Sequence, residues 1–328
     1  MIETQELTKI FDSRGIAGIH QLNLQLKEGE VAALMGPNGS GKSTLLNLLR
    51  GTLKPDRGSI TIKGDITLFQ PDQCPQSGNV QKFLVDSVTI TDDAEKRIQL
   101  TRNLADMMEF TFQLKQDLSS LSAGQKQKIL LSSMLINNPR VILLDEPFTH
   151  LDPMTRKGIL SALFTYIRSQ TISVFWVTHD MDEALQFSDK LGILNFGKME
   201  QWGEPQEIIF KPRNLFVAQF AGYSNIFPIR FEDGHWMTPW GKWHYPNPSG
   251  WLEALIVIPA SAWEMDENKA ISFHVKNFKI KQLIWEIQAD ALDRCFTFMW
   301  PDSLKRQIDL KPAFYARPIW AECFLLQL

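Results

Sequence analysis

Long apolar runs are missing from this 328-residue sequence: no stretch approaches the roughly 20 residues that a membrane-spanning helix needs. The opening Met1-Ile-Glu-Thr lacks a secretion-signal pattern, so any membrane role is expected to come through a partner. Cysteine is scarce. Cys74, Cys295 and Cys323 form an odd, scattered set without metal-ligand spacing, which suits free thiols in a reducing cytoplasm. Excess charge is missing too. With 34 basic and 37 acidic residues the net charge is −3, which argues against a broad nucleic-acid surface. What is left is an ordinary folded composition, 44% hydrophobic and 22% charged, on a chain long enough for two domains with good cores.

The most informative stretch is Val31-Ala-Ala-Leu-Met35 running into Gly36-Pro-Asn-Gly-Ser-Gly-Lys-Ser43. Five apolar residues read as a buried strand, and the next eight match the phosphate-binding pattern G-x-x-x-x-G-K-[ST]. A chain that wraps a triphosphate must turn tightly, offer backbone N–H groups and enter a helix whose N-terminus faces the anion. Gly36, Gly39 and Gly41 allow that backbone, Lys42 supplies a point charge, and the Ser43 hydroxyl suits Mg²⁺. Pro37, Asn38, Ser40 and Thr44 complete the candidate site.

Other segments carry weaker signals. Phe11 reads either as a core residue or as a flat face for a base, and Gln70 as a polar strand end. Residues from about 78 to 137 read as mostly helical, with Asp92-Asp93 as a cap and Met107-Met108 in a core. Ser119-Ser-Leu-Ser-Ala-Gly-Gln125 is a small-residue loop entering a helix, either a plain cap or a second anion-binding geometry. Val141-Ile-Leu-Leu144 is a covered parallel strand, and Asp145-Glu146 at its C-terminal end sits where open α/β sheets bind ligands. Thr149-His-Leu-Asp152 follows; then the strand Val174-Phe-Trp-Val177 ends in Thr178-His179.

The ordered set of phosphate loop, Gln70, Leu121-Ser-Ala-Gly-Gln125, Leu144-Asp-Glu146, Thr149-His-Leu-Asp152 and Thr178-His179 resembles the ATP-binding cassette family over residues 1–222. The resemblance implies an α/β P-loop NTPase cassette with a mixed, mainly parallel sheet and a helical subdomain. It implies ATP and Mg²⁺ as ligands, the metal among Ser43, Gln70 and Asp145, and Phe11 on adenine. Glu146 resembles the family's general base and His179 its switch residue. Ser122, Gly124 and Gln125 would address the nucleotide of an opposite copy, with Asp152 communicating across a homodimer that closes on ATP. Ala123 departs from the family's usual glycine, His150 stands where a small residue is common, and the interval from Lys42 to Gln70 is short.

A composition break falls near Gly222. Beyond it lie eight of the ten tryptophans and several short alternating segments, which read as a small β-barrel over residues 223–328. The tryptophans fill that core or, alternatively, stack on a sugar or nucleobase. The linker Gln206-Glu-Ile-Ile-Phe-Lys-Pro-Arg-Asn214 and Asn225-Ile-Phe-Pro228 resemble solute-importer cassettes with a TOBE-like regulatory barrel. The resemblance implies an ATPase subunit for a polyamine, ferric iron, sugar or oxyanion importer. It would sit on the cytoplasmic face of the inner membrane, held by two integral-membrane permease subunits and served by an extracytoplasmic solute-binding protein. The alternatives are an exporter motor with a recognition barrel, and a soluble cassette ATPase of translation or DNA maintenance.

Overall fold

The structure is a computed structural model; it describes residues 1–11, 18–69, 75–148, 151–247, 250–265, 272–281, 284–291, 294–301, 313–319 and 323–327. The chain divides into two compact units, Met1–Lys211 and Pro212–Leu328.

In the first unit, β1 (Ile2–Ile10), β2 (Gly18–Leu26), β3 (Val31–Met35), α1 (Lys42–Arg50), β4 (Arg57–Ile62) and β5 (Ile66–Phe69) come first. Then follow α2 (Val80–Ser87), α3 (Ala94–Met107), α4 (Ala123–Leu135), β6 (Val141–Asp145), α5 (Pro153–Gln170) and β7 (Ser173–Val177). The unit closes with α6 (Met181–Phe187), β8 (Lys190–Asn195), β9 (Lys198–Gly203) and α7 (Pro205–Phe210). A six-stranded sheet has the order β5-β6-β7-β3-β8-β9, parallel except for β9. β3 and β7 are buried along their whole length, as β6 is from Val141 to Leu144. Such strands read as continuous apolar runs because both faces of a parallel sheet are covered. β2, β1 and β4 make a smaller antiparallel sheet.

This order places the ends of β3, β6, β7 and β8 side by side at one edge, the edge where the phosphate loop, Asp145-Glu146 and Thr178-His179 emerge. Asp93 caps α3 by accepting from the N–H groups of Glu95 and Lys96, as its position in the sequence suggests. Of the two methionines expected in a core, Met108 is buried but Met107 is exposed, because the helix turns it to the outer side.

Among the described residues, the second unit holds α8 (Leu215–Phe220) and ten strands: β10 (Asn225–Glu232), β11 (His235–Thr238), β12 (Gly241–Trp243), β13 (Glu253–Ile258), β14 (Trp263–Met265), β15 (Ser272–Lys281), β16 (Ile284–Ala291), β17 (Arg294–Pro301), β18 (Ala313–Pro318) and β19 (Phe324–Gln327). They form two five-stranded sheets, β12-β11-β10-β13-β19 and β14-β18-β15-β16-β17. One core of Trp236, Trp243, Trp263, Phe273, Phe296 and Phe298 draws on both sheets. Asn225 ties them further, donating to the Thr297 carbonyl at 2.7 Å and accepting from its N–H at 2.9 Å. These tryptophans are therefore core filling. The composition break at Gly222 lies inside this unit, because Ala218 of α8 packs on Leu255, Val257 and Leu326.

Candidate active site

The phosphate loop is shaped by backbone that only glycine adopts easily. Gly36 has φ 153° and Gly41 φ 106°, and a Cβ on Gly36 would collide with the Leu194 carbonyl. Helix α1 begins at Gly41 with no side chain capping it, so its first-turn N–H groups can serve an anion. The Ser40 hydroxyl is buried against Gly36 and has no hydrogen-bond partner among the described residues.

Lys42 is buried, and its Nζ donates to the carbonyls of Gly36 at 2.9 Å and Pro37 at 3.0 Å. Desolvation lowers the pKa of its ammonium, and the Glu146 and Asp145 carboxylates oppose that shift. Asp145 moves the other way: burial raises its pKa, and the Ser43 hydroxyl, donating to it, pulls it back. A hydroxyl and a half-buried carboxylate in mutual contact form a hard-oxygen donor pair that suits Mg²⁺, whose charge would relieve that desolvation.

Glu146 follows β6 with φ 44°, a left-handed conformation, while its N–H donates to the Val177 carbonyl at 3.2 Å. Its Oε1 lies 2.5 Å from His179 Nε2, so the ends of β6 and β7 meet through these side chains. Around the loop is a cleft of about 450 Å³ lined by Phe11, Asn38, Gly39, Gly41, Lys42, Ser43, Thr44, Glu146 and Phe196, a size that suits a nucleotide-sized ligand. Phe11 is 55% exposed and is not a core residue.

His179 also borders a neighbouring pocket of about 220 Å³ with Glu146, Arg156 and Glu183. Arg156 of α5 reaches across it to Glu183 at 2.7 Å and Asp180 at 3.1 Å. Ser122, Gly124 and Gln125 are elsewhere, lining a separate pocket of about 360 Å³. Ser122 and Gln125 close a capping box at the start of α4, and Gly124 is small because Thr155 abuts it. Asp152 caps α5, accepting from the Thr155 N–H at 3.0 Å. Gln70, one of the expected metal ligands, lies outside the described residues, as does His150.

Phe196, in the turn after β8, and Arg156, within a helix, are among the residues lining these pockets that carry no motif signal. The Phe196-Gly197 pair between alternating strands marks a turn, but nothing in the sequence places that turn beside Lys42.

Residues 19–149 match the family model described as ABC transporter. Over 264 residues the chain is 33% identical to the sulfate/thiosulfate import ATP-binding protein CysA 2 of Shewanella oneidensis, covering 75% of this chain and 73% of that protein. The chain belongs to the ABC transporter family. This ABC chain is also 34% identical over 248 residues to the spermidine/putrescine import ATP-binding protein PotA of Nitratidesulfovibrio vulgaris, covering 72% and 67% of the two. Among solved structures it is similar to cbiO1 of Clostridium perfringens, part of the ABC transporter complex cbiONQ. The TM-score is 0.58 at 26% identity, covering 64% of this chain and 90% of that one. A dimeric ATP-binding cassette in a post-hydrolysis state with ADP and Pi bound gives a TM-score of 0.53 at 26% identity, covering 62% and 99%. The first unit is thus an ABC ATPase fold with a parallel-rich sheet, and further strands follow it in the chain.

Proposed function

We propose that this ABC ATPase powers solute import, working as a homodimer beneath two integral-membrane permease subunits, with a solute-binding protein delivering the cargo. Support for import comes from the names of its relatives, which include a spermidine/putrescine and a sulfate/thiosulfate import protein. The proposed place is peripheral, on the cytoplasmic face of the inner membrane, held there by the permease subunits; no helix among the described residues is long and apolar enough to cross a membrane. The second unit would act as a TOBE-like regulatory domain.

The observation that carries the site reading is the 2.5 Å contact between Glu146 and His179 beside the Lys42 loop. Phosphoryl transfer to water demands positioning and charge neutralisation more than covalent chemistry. Lys42 and the α1 N-terminus hold the β- and γ-phosphates of ATP, and Phe11 takes the adenine. Glu146 accepts a proton from the attacking water, and His179 orients that carboxylate and contacts the γ-phosphate. Ser43 and Asp145, with Gln70, would hold Mg²⁺, which supplies positive charge to the phosphates when bound. Ser122, Gly124 and Gln125 line a pocket apart from their own chain's Lys42 cleft, consistent with service to a partner's nucleotide. Asp152 would relay between the two sites.

The test is uptake in a strain lacking the gene, supplied in turn with labelled polyamine, ferric iron, sugar and oxyanion. Uptake of one class should fail and return with the intact gene but not with Glu146→Gln. Unchanged uptake of all four with impaired efflux would overturn import in favour of export.

A further inference from the structure

The hairpin at the end of the six-stranded sheet breaks a local rule. Asn195 and Lys198 are register partners, so β8 and β9 are joined by Phe196 and Gly197 alone. Their φ values, 43° and 75°, are those of a type I′ turn. That turn requires left-handed backbone at both central positions, which Asn, Asp and Gly adopt readily and a bulky aromatic does not. The second unit builds the same turn from the favoured residues: Glu232 pairs with His235, and Asp233-Gly234 turns at φ 49° and 78°. Phe196 gains no burial in return, since it is 73% exposed. Neither turn preference nor packing accounts for it.

Its position does. The Gly197 N–H donates to the Ser40 carbonyl at 2.8 Å, and the Gly197 carbonyl accepts from the His20 N–H at 2.9 Å. The turn is thereby pinned to the phosphate loop, and Phe196 lines the cleft that Phe11, Lys42 and Ser43 line. Two exposed phenylalanines on one cleft beside a phosphate loop offer π-faces to a ligand that is anionic at one end and flat at the other. Departures from local rules concentrate where function demands them.

We propose that Phe196 is a second aromatic contact for the base of the bound purine nucleotide, acting with Phe11. The assignment rests on reading the cleft as a nucleotide site. Phe196 acts in binding and takes no part in the chemistry. Its strained turn is retained because Asn or Asp there would serve the hairpin better and the base worse.

Calorimetric titration of the full chain with ATP and, separately, with inorganic tripolyphosphate distinguishes the possibilities, both in Mg²⁺ buffer. Phe196→Asn should weaken ATP about tenfold, the scale of losing one base–aromatic stack, and leave tripolyphosphate within about twofold. Phe196→Trp should keep ATP within about twofold of the parent, because it retains a π-face. The melting temperature of Phe196→Asn should equal or exceed that of the parent, as Asn suits the turn. Unchanged ATP affinity in Phe196→Asn overturns the proposal. So does equal loss of ATP and tripolyphosphate, which would mean the loop itself had moved. A parent protein that binds neither ligand overturns the nucleotide site itself, and the proposal falls with it.

Discussion

Glu146 Oε1 and His179 Nε2 stand 2.5 Å apart although 33 residues separate them in the chain. Adjacent parallel strands, β6 and β7, bring them together, and the left-handed backbone at Glu146 directs the carboxylate. If this pair activates water, Glu146→Gln should lower ATP turnover by about 10²–10⁴-fold, the usual weight of a general base, with ATP affinity nearly unchanged. His179→Ala should lower turnover with the base still present. Steady-state ATPase assays paired with equilibrium binding separate the two effects.

Lys42 is a buried ammonium held by two loop carbonyls. Lys42→Ala should therefore weaken ATP binding by about 2 kcal/mol, the worth of a charge-assisted hydrogen bond, or roughly thirtyfold. Thermal stability without nucleotide should hold or rise, because a desolvated charge is removed. Titration calorimetry and a melting curve check both halves.

Arg156 bridges α5 to Asp180 and Glu183, the cap and first turn of α6, which directly follow His179. Burial raises the Glu183 pKa above its ordinary 4.5, and Arg156 holds it down. Arg156→Met should destabilise the fold by about 2 kcal/mol at neutral pH, since it strands a mostly buried carboxylate. A carboxyl whose folded pKa is raised contributes full stability below 4.5 and loses it as pH rises through the folded value. The deficit of the variant should accordingly be small in acid and grow toward neutrality, as denaturant melts across pH would register. Turnover should fall more than ATP affinity, because His179 loses its support.

Asp56 fixes the end of β1 ahead of Phe11: it accepts from the Ile10 N–H at 2.7 Å and from Lys9 Nζ at 3.0 Å. The Ile10 hydrogen bond, then Lys9, holds its pKa below 3.8. That contribution is present above 3.8 and is lost as pH falls through the lower folded value. Amide exchange at Ile10 should quicken in strong acid, and Asp56→Ala should reproduce the effect at neutral pH while weakening ATP a few-fold. Unaltered exchange in the variant would count against the anchor.

Much of this was legible in the sequence. The apolar strands and the glycine-rich loop announce themselves because a covered parallel sheet and a phosphate-wrapping backbone tolerate few residue types. Asp145, Glu146 and His179 were readable as candidates because they lie at or just past the C-terminal ends of such strands. Phe11 was ambiguous, since an aromatic near a strand end carries no sign of its exposure. Arg156 and Phe196 were invisible for another reason: their partners lie across the fold, and only the strand order brings them to the site. The unit boundary before α8 was likewise hidden, because composition changes at Gly222 while Ala218 already packs on Leu255, Val257 and Leu326 of the second unit. Gly124 has a local reason to be small that the sequence could not show, since a Cβ there would press on the Thr155 methyl group.

The central claim is that two copies close on ATP, each offering its Ser122 pocket to the Lys42 cleft of the other. Light scattering of Glu146→Gln on gel filtration, with and without ATP and Mg²⁺, tests it most directly. The mass should double with ATP and return to the single-chain mass when Ser122→Arg is added to block that pocket. A Glu146→Gln protein that binds ATP yet keeps the single-chain mass, or a dimer indifferent to Ser122→Arg, would contradict it.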